Sequence, residues 1–392
     1  MSDMQTLLAT CARHECAGEE VVLATVVKVE GSAYRRPGAR MLISPLGSTS
    51  GTISGGCLES AVAKKAWWLT ERGQPVVQKY SSAAGDDEED GLFGLGCNGT
   101  LHLMLERHSP GKPAAAIGLL REVLEQGRAG ALARLIACPS SGALKLGQHL
   151  AFTPGGDWRG NVPHAGLSAC LQEALRQTLD DGRSTVQRYQ VEGQEVEVLL
   201  EYLAPPRRLL IFGAGHDAVP VVAMAKLMGW QVTVIDSRAH FARAERFAQA
   251  DAVHCIELEQ VQDWAPMVDG AAVLVMSHSY RQDRHWLGAV LGCRPAYIGQ
   301  LGPRSRTERL LAELLETGVE PPGLAALRYP LGLDIGGDTP QSVALAAIAE
   351  ITAQFNGREG GRLQARSGTI HGRDQAQPPR VVSRELSRQV VG

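Results

Sequence analysis

The sequence predicts an α/β protein in two parts: an N-terminal α+β region and a C-terminal Rossmann-like, doubly wound parallel sheet. Three observations carry this. Beyond residue 208, the short apolar runs "LLIF", "QVTVID", "DAVHC", "AAVLVMS" and "AYIGQ" alternate with helical segments, the rhythm of a parallel sheet covered on both faces. Between the first run and the next helix stands Gly213-Ala-Gly215-His216-Asp-Ala218, a G-x-G-x-x-A turn, and Asp236 closes the second run 23 positions after Gly213. Upstream, β-branched runs such as "VVLATVVKVE" mix with single helices and glycine-proline turns, with no regular βαβ rhythm.

Element by element, "MQTLLATCARHECAGEE" reads as a helix and "VVLATVVKVE" as a strand. "GSAYRRPGARMLIS" reads as a loop and second strand, "PLGS" as a turn, and "GTIS" as a third strand. "CLESAVAKKAWWLTERG" has helical composition with Gly73 as its stop, the acidic "SSAAGDDEEDGLFG" reads as a loop, and "TLHLMLE" as a strand. These define an N-terminal domain at 1–108, closed by the boundary "HSPGKP". Residues 109–204 form a connecting α+β region containing the helical "HAGLSACLQEALRQTL" and the strand "EVEVLLEYL". "APPRR" opens the Rossmann-like domain at 205–356, whose last helix starts at Thr339-Pro340, an N-cap followed by proline at N1. The polar segment 357–392 predicts a disordered tail.

Composition narrows the function. Hydrophobic residues at 44% and charged residues at 21% are globular values. With 39 basic against 42 acidic side chains and no basic stripe, no nucleic-acid partner is expected. No run approaches the roughly 18 apolar residues of a membrane span, and the start lacks a secretory pattern, so no membrane association and a cytoplasmic location are expected. The eight cysteines form no C-x-x-C pair, which favours free thiols.

Four stretches can carry chemistry. Ser54-Gly55-Gly56-Cys57 leads from a strand into a helix, where free N–H groups favour an anion and depress a thiol pKa; a tight structural turn uses the same residues. Cys97 stands in a second glycine-rich turn, "GLGCNG". The Gly213 loop suits a phosphate and Asp236 a ribose, although glycines there also permit close strand-to-helix packing. "SHSYRQD" sets Ser277, His278 and Asp283 at the carboxyl edge of the sheet. Adjacent Ser and His cannot form a nucleophile and its base, so no hydrolase triad and no catalytic residue is assigned. Arg304 and Arg306 start a helix, as a phosphate clamp or a solvated face. Asp334 and Asp338 suit capping and turn roles better than metal ligation.

Taken in order, "GSAYRRPGARMLIS", "GTISGGCLES", "GLGCNGTLHLMLE", "IFGAGHDA", "VIDSR", "SHSYRQD", "GQLGPRSR" and "GLDIGGDTPQSVALAAIAEI" resemble the motif blocks of the xanthine dehydrogenase accessory factor family, of XdhC/CoxI type. The resemblance spans roughly residues 20–108 and 205–355. Asn98 stands where the family pattern has glycine, and Pro303 precedes Arg304 where the pattern reads GSR. It implies an N-terminal XdhC/CoxI-type domain before the Rossmann-like one. It implies a maturation factor without turnover of its own that binds molybdenum cofactor (molybdopterin), protects its sulfido form and delivers it to a molybdenum hydroxylase such as xanthine dehydrogenase. A cysteine desulfurase is the implied partner, and a homodimer is expected as a common way to complete such a carrier. Under this reading Ser54, Gly55, Gly56, Cys57, Glu59 and Cys97 bind cofactor, with Cys57 and Cys97 at the metal or handling sulfur. Gly213, Gly215, His216, Asp236, His278 and Arg304 serve the phosphate or a nucleotide. Two alternatives compete: an NAD(P)-dependent oxidoreductase using the Rossmann-like domain, and a thiol redox sensor or scaffold using Cys57 and Cys97.

Overall fold

The computed structural model describes residues 3–31, 33–56, 58–81, 99–139, 142–315, 321–367 and 380–382. They fall into two compact units, one of residues 3–205 with 380–382 and one of 206–367.

The first unit begins with α1 (Asp3–Cys16), β1 (Val21–Glu30), β2 (Arg40–Ile43), β3 (Thr49–Gly51), α2 (Glu59–Leu69), β4 (Val76–Ser81) and β5 (Thr100–His108). It continues with α3 (Ala115–Gln126), β6 (Gly130–Ala137), β7 (His149–Phe152), β8 (Trp158–Gly160), α4 (Ala165–Asp181), β9 (Thr185–Val191) and β10 (Gln194–Leu203). The first five strands make an antiparallel sheet in the order β3-β2-β1-β5-β4. Period-two alternation divides β1 between two cores. Val22, Ala24 and Val26 pack toward α2, while Val21 and Leu23 join Leu7, Leu120, Leu132 and Leu203 in a core shared by both halves of the unit. The segments expected as separate at 1–108 and 109–204 therefore share one interior. An unbroken run such as "VVLATVV" is what a strand buried on both faces needs.

The second sheet runs β9-β10-β6-β7-β8, antiparallel, with α4 on its other face. Arg380–Val381 extend it as a short strand pairing parallel with β9, where the sequence predicts a disordered tail. An edge strand offers unpaired N–H and C=O groups to any chain that reaches it.

The second unit contains β11 (Arg208–Phe212), α5 (Ala218–Leu227), β12 (Gln231–Asp236), β13 (Ala252–Cys255), α6 (Ala265–Val268) and β14 (Ala272–Val275). It ends with α7 (Tyr280–Leu291), β15 (Tyr297–Gln300), α8 (Arg304–Leu314), β16 (Leu327–Arg328) and α9 (Pro340–Phe355). The sheet order β13-β12-β11-β14-β15-β16 is wholly parallel, the 3-2-1-4-5-6 order of the dinucleotide-binding fold. Apolar clusters cover both faces, one around Val221, Trp230 and Ile351, the other around Phe212, Trp264 and Trp286. Among the described residues no helix is long and apolar enough to cross a membrane.

Candidate functional site

Between β3 and α2 the chain folds into a nest. Gly55 and Gly56 take φ of +98° and +122°, which turns successive N–H groups inward. The anion inside is the carboxylate of Glu59, the first residue of α2. It accepts from the hydroxyls of Thr52 (2.5 Å) and Ser54 (2.6 Å) and from the N–H groups of Ser54 (2.9 Å), Gly56 (2.9 Å) and Leu58 (3.2 Å). The expectation of free N–H groups is corrected here: an acidic side chain at the helix N-terminus takes them. Burial pushes the Glu59 carboxyl up, but the hydrogen bonds from Ser54 and Thr52 outweigh it and hold the group far below the usual carboxylate range. The ring of Tyr34 lies over Gly55, where a Cβ would meet it at 3.0 Å, so "GSAYRRPG" packs on the glycine loop. Cys57, between Gly56 and Leu58, lies outside the described residues, as does Cys97.

At the carboxyl edge of the parallel sheet, Gly213 has φ of +119°, and a Cβ there would stand 2.6 Å from the carbonyl of Met276. Close passage of β11 past β14 requires that glycine. Asp236 is buried. Its oxygens accept from the Ala214 N–H (2.8 Å), the Arg238 N–H (2.9 Å), and Arg238 Nε (2.9 Å) and Nη2 (2.8 Å). These four bonds occupy the Asp236 carboxylate and pin the glycine loop. Burial raises its pKa, yet the Arg238 and Ala214 bonds bring it below the ordinary value.

His278, with φ of +59°, places Nε2 2.6 Å from Asp217 Oδ2, so a carboxylate stands at the start of α5 where a phosphate was expected. His216 is exposed, and a Cβ on Gly215 would meet Asp217 Oδ1 at 2.6 Å. Ser277 Oγ donates to Asp283 Oδ1 (2.5 Å), whose other oxygen accepts from Arg306 (2.7 Å). Arg304 is exposed, with its guanidinium 5.3 Å from the Tyr329 ring centre. Asp334 and Asp338 are exposed, and Thr339 caps α9.

A further group escaped the sequence reading because its members lie far apart in the chain. Cys11 Sγ is 3.1 Å from His108 Nε2, which is 2.6 Å from Glu15 Oε1; Arg121 donates to Glu15 Oε2 at 2.6 Å. One ligand atom from each of Cys11, Glu15 and His108 lies within 4.8 Å of the others, the spacing of a metal site. The hydrogen bonds argue for a closed network instead. His108 Nδ1 accepts the Ala114 N–H (3.1 Å), which assigns the ring proton to Nε2, the atom a metal would need. Burial and the nearby Glu15 charge push the Cys11 thiol up to about 11, so it is no thiolate near neutrality.

Architecture and site together define a two-unit α/β protein whose second unit is of Rossmann type. The XdhC Rossmann domain model matches residues 209–351, and the model of the XdhC and CoxI family matches residues 15–81 and 123–190. The chain belongs to the XdhC and CoxI family. A relative from Bacillus subtilis (strain 168), which bears the name of a probable xanthine dehydrogenase component, is 32% identical over 333 residues, covering 85% of this chain and 92% of that protein. The molybdenum cofactor insertion chaperone PaoD of Escherichia coli (strain K12) is 24% identical over 352 residues, covering 90% of this chain and 88% of that protein. A crystal structure described as a xanthine dehydrogenase from Bacillus halodurans aligns with a TM-score of 0.68 at 27% identity, over 92% of this chain and 97% of that one.

Proposed function

We propose that this protein is a molybdenum cofactor chaperone: it binds the cofactor, shields its sulfido form and delivers it to a molybdenum hydroxylase such as xanthine dehydrogenase. It works in the cytoplasm with a cysteine desulfurase, as a homodimer and without turnover of its own. The observation that carries the reading is the glycine nest. Glu59 accepts from the N–H groups of Gly56 and Leu58, the sequence neighbours of Cys57. A thiol suits a soft metal-dithiolene centre. The bound group supplies the molybdenum chemistry that the recipient enzyme uses. This chain's residues hold and orient it, with Glu59 and Ser54 fixing the loop and Cys57, with Cys97, the soft ligands. The name of the Escherichia coli relative supports the same role.

The NAD(P)-dependent alternative needs Asp236 open to a ribose, and its carboxylate is already filled. The test is the molybdenum and fluorescent-pterin content of protein purified without oxygen from a cofactor-producing cell. Wild type is expected to be near-stoichiometric and Cys57→Ala at least about tenfold poorer. Equal content in both overturns the role of Cys57. No cofactor in wild type, even after reconstitution, overturns the chaperone reading.

A further inference from the structure

β9 is the outer strand of the antiparallel β9-β10-β6-β7-β8 sheet. All seven of its residues pair with β10, which leaves the backbone groups of its other edge to pair elsewhere. Among the described residues the strand paired on that edge is the short run at 380–382. Arg380 stands opposite Tyr189, Val381 opposite Gln190, and the Val382 N–H donates to the Gln190 carbonyl at 3.1 Å. Period-two alternation gives the two valines different surroundings. Val381 is 78% exposed, while Val382 packs against the apolar cluster of Tyr189, Val191, Leu167 and Leu171. Gly166, in the first turn of α4, makes room for it: a Cβ there would stand 3.1 Å from a Val382 methyl. Burial pushes the Tyr189 hydroxyl up to about 12, and the charge of Arg380 pulls against it.

The hold of this segment on β9 is slight. In a parallel pair every second residue turns its N–H toward the neighbouring strand, and Val382 is such a position. Counted back along the sequence, the next are Arg380 and Pro378. Proline has no N–H, and Pro379 follows it, so the run gains no donor upstream of Arg380 toward the Thr185–Arg188 stretch of β9. One packed valine and a short ladder remain, and a backbone hydrogen bond is worth little net of water.

We propose that the β9 edge is a docking site for an extended strand of a partner protein, with Arg380–Val382 as its weak resident. The strand that fits carries a β-branched residue for the slot beside Gly166 and has N–H groups where this chain has Pro378 and Pro379. Backbone bonds to β9 supply the affinity and the slot supplies the selectivity, the mode of strand addition to a sheet edge. Such a strand displaces the resident because it repeats the resident's contacts and adds ladder bonds that the prolines forbid. Until then the resident keeps the edge from pairing with the edge of another copy. None of these groups belongs to the glycine nest, so the docking site stands or falls independently of the chaperone reading.

The test uses full-length protein and a fluorescently labelled peptide of residues 376–386 in which Pro378→Thr and Pro379→Thr restore the two N–H groups. Wild type is expected to bind this probe saturably, at least about tenfold more tightly than the same peptide with both prolines. Val382→Asp in the probe is expected to weaken it by about tenfold or more, whereas Val381→Asp, on the exposed side, changes affinity by less than about twofold. Amide exchange reports where the probe sits: its binding is expected to remove the protection of the protein's own Val382 N–H. Val382→Asp in the protein is expected to tighten probe binding, because the resident leaves the slot. No saturable binding, equal binding of the proline-containing or the Val382→Asp peptide, or binding that leaves the Val382 amide protected overturns the docking site. Should the Val382→Asp protein not fold, the peptide series and the exchange measurement decide with wild type alone.

Discussion

Glu59 and Gly213 show how single residues set the two glycine loops. Glu59→Gln keeps the shape but removes the charge and turns a donor toward N–H groups. We expect a loss of about 1–2 kcal/mol near neutrality, at the low end because the group is half-exposed. The folded-state pKa of Glu59 is depressed, so its contribution is complete above the unfolded value of about 4.3 and lost as pH falls through the lower folded value. Urea unfolding from about pH 7 down to about pH 3 should therefore show the gap between wild type and variant narrowing; a constant gap would sink the argument. At Gly213, alanine meets both a positive φ and a backbone carbonyl 2.6 Å away, so Gly213→Ala should cost at least about 2 kcal/mol. An unchanged urea midpoint would show that β11 and β14 can separate. The sequence displayed both loops but not what fills them. G-G-C-L-E reads as an open nest until the helix brings its own first carboxylate back over it. His108 and Cys11 carry no local signal, because a contact across 97 positions exists only after β5 and α1 have packed.

At the level of elements, period and caps were readable wherever both acted locally. β1 and β10 follow from runs of β-branched and apolar residues, and α9 from Thr339-Pro340. The Thr339 hydroxyl accepts the Ser342 N–H at 3.2 Å, and the Ser342 hydroxyl accepts the Thr339 N–H at 2.9 Å. Thr339→Ala is expected to cost about 1 kcal/mol while Thr339→Ser costs little, read as a shift in urea midpoint. Equal loss from both would place the effect in packing rather than the cap. The third strand was misplaced: "GTIS" predicts a strand at 51–54, whereas β3 is Thr49–Gly51. From Ile53 onward the N–H groups turn toward Glu59 and leave the ladder. A side-chain acceptor several residues ahead decides the end of that strand, and no window of hydropathy contains it.

For the molecule as a whole, the strand order and the charges at the sheet edge pull in different directions. The order 3-2-1-4-5-6 places the β11–α5 turn where dinucleotides bind in such folds. Fold alone does not bring the ligand. Asp217 stands at the helix start beside His278, where a pyrophosphate would come, and Asp236, the ribose acceptor of such folds, is held by Ala214 and Arg238. A pyrophosphate arriving there meets a carboxylate instead of open N–H groups, and a ribose finds no free acceptor. We therefore expect NAD(H) and NADP(H) to give no saturable change in protein fluorescence up to about 1 mM, weaker than about 4 kcal/mol of binding. Micromolar, stoichiometric NAD(P) binding would reverse this assignment, since Arg238 would then have to release Asp236 when the nucleotide arrives, and the second unit would be the working site.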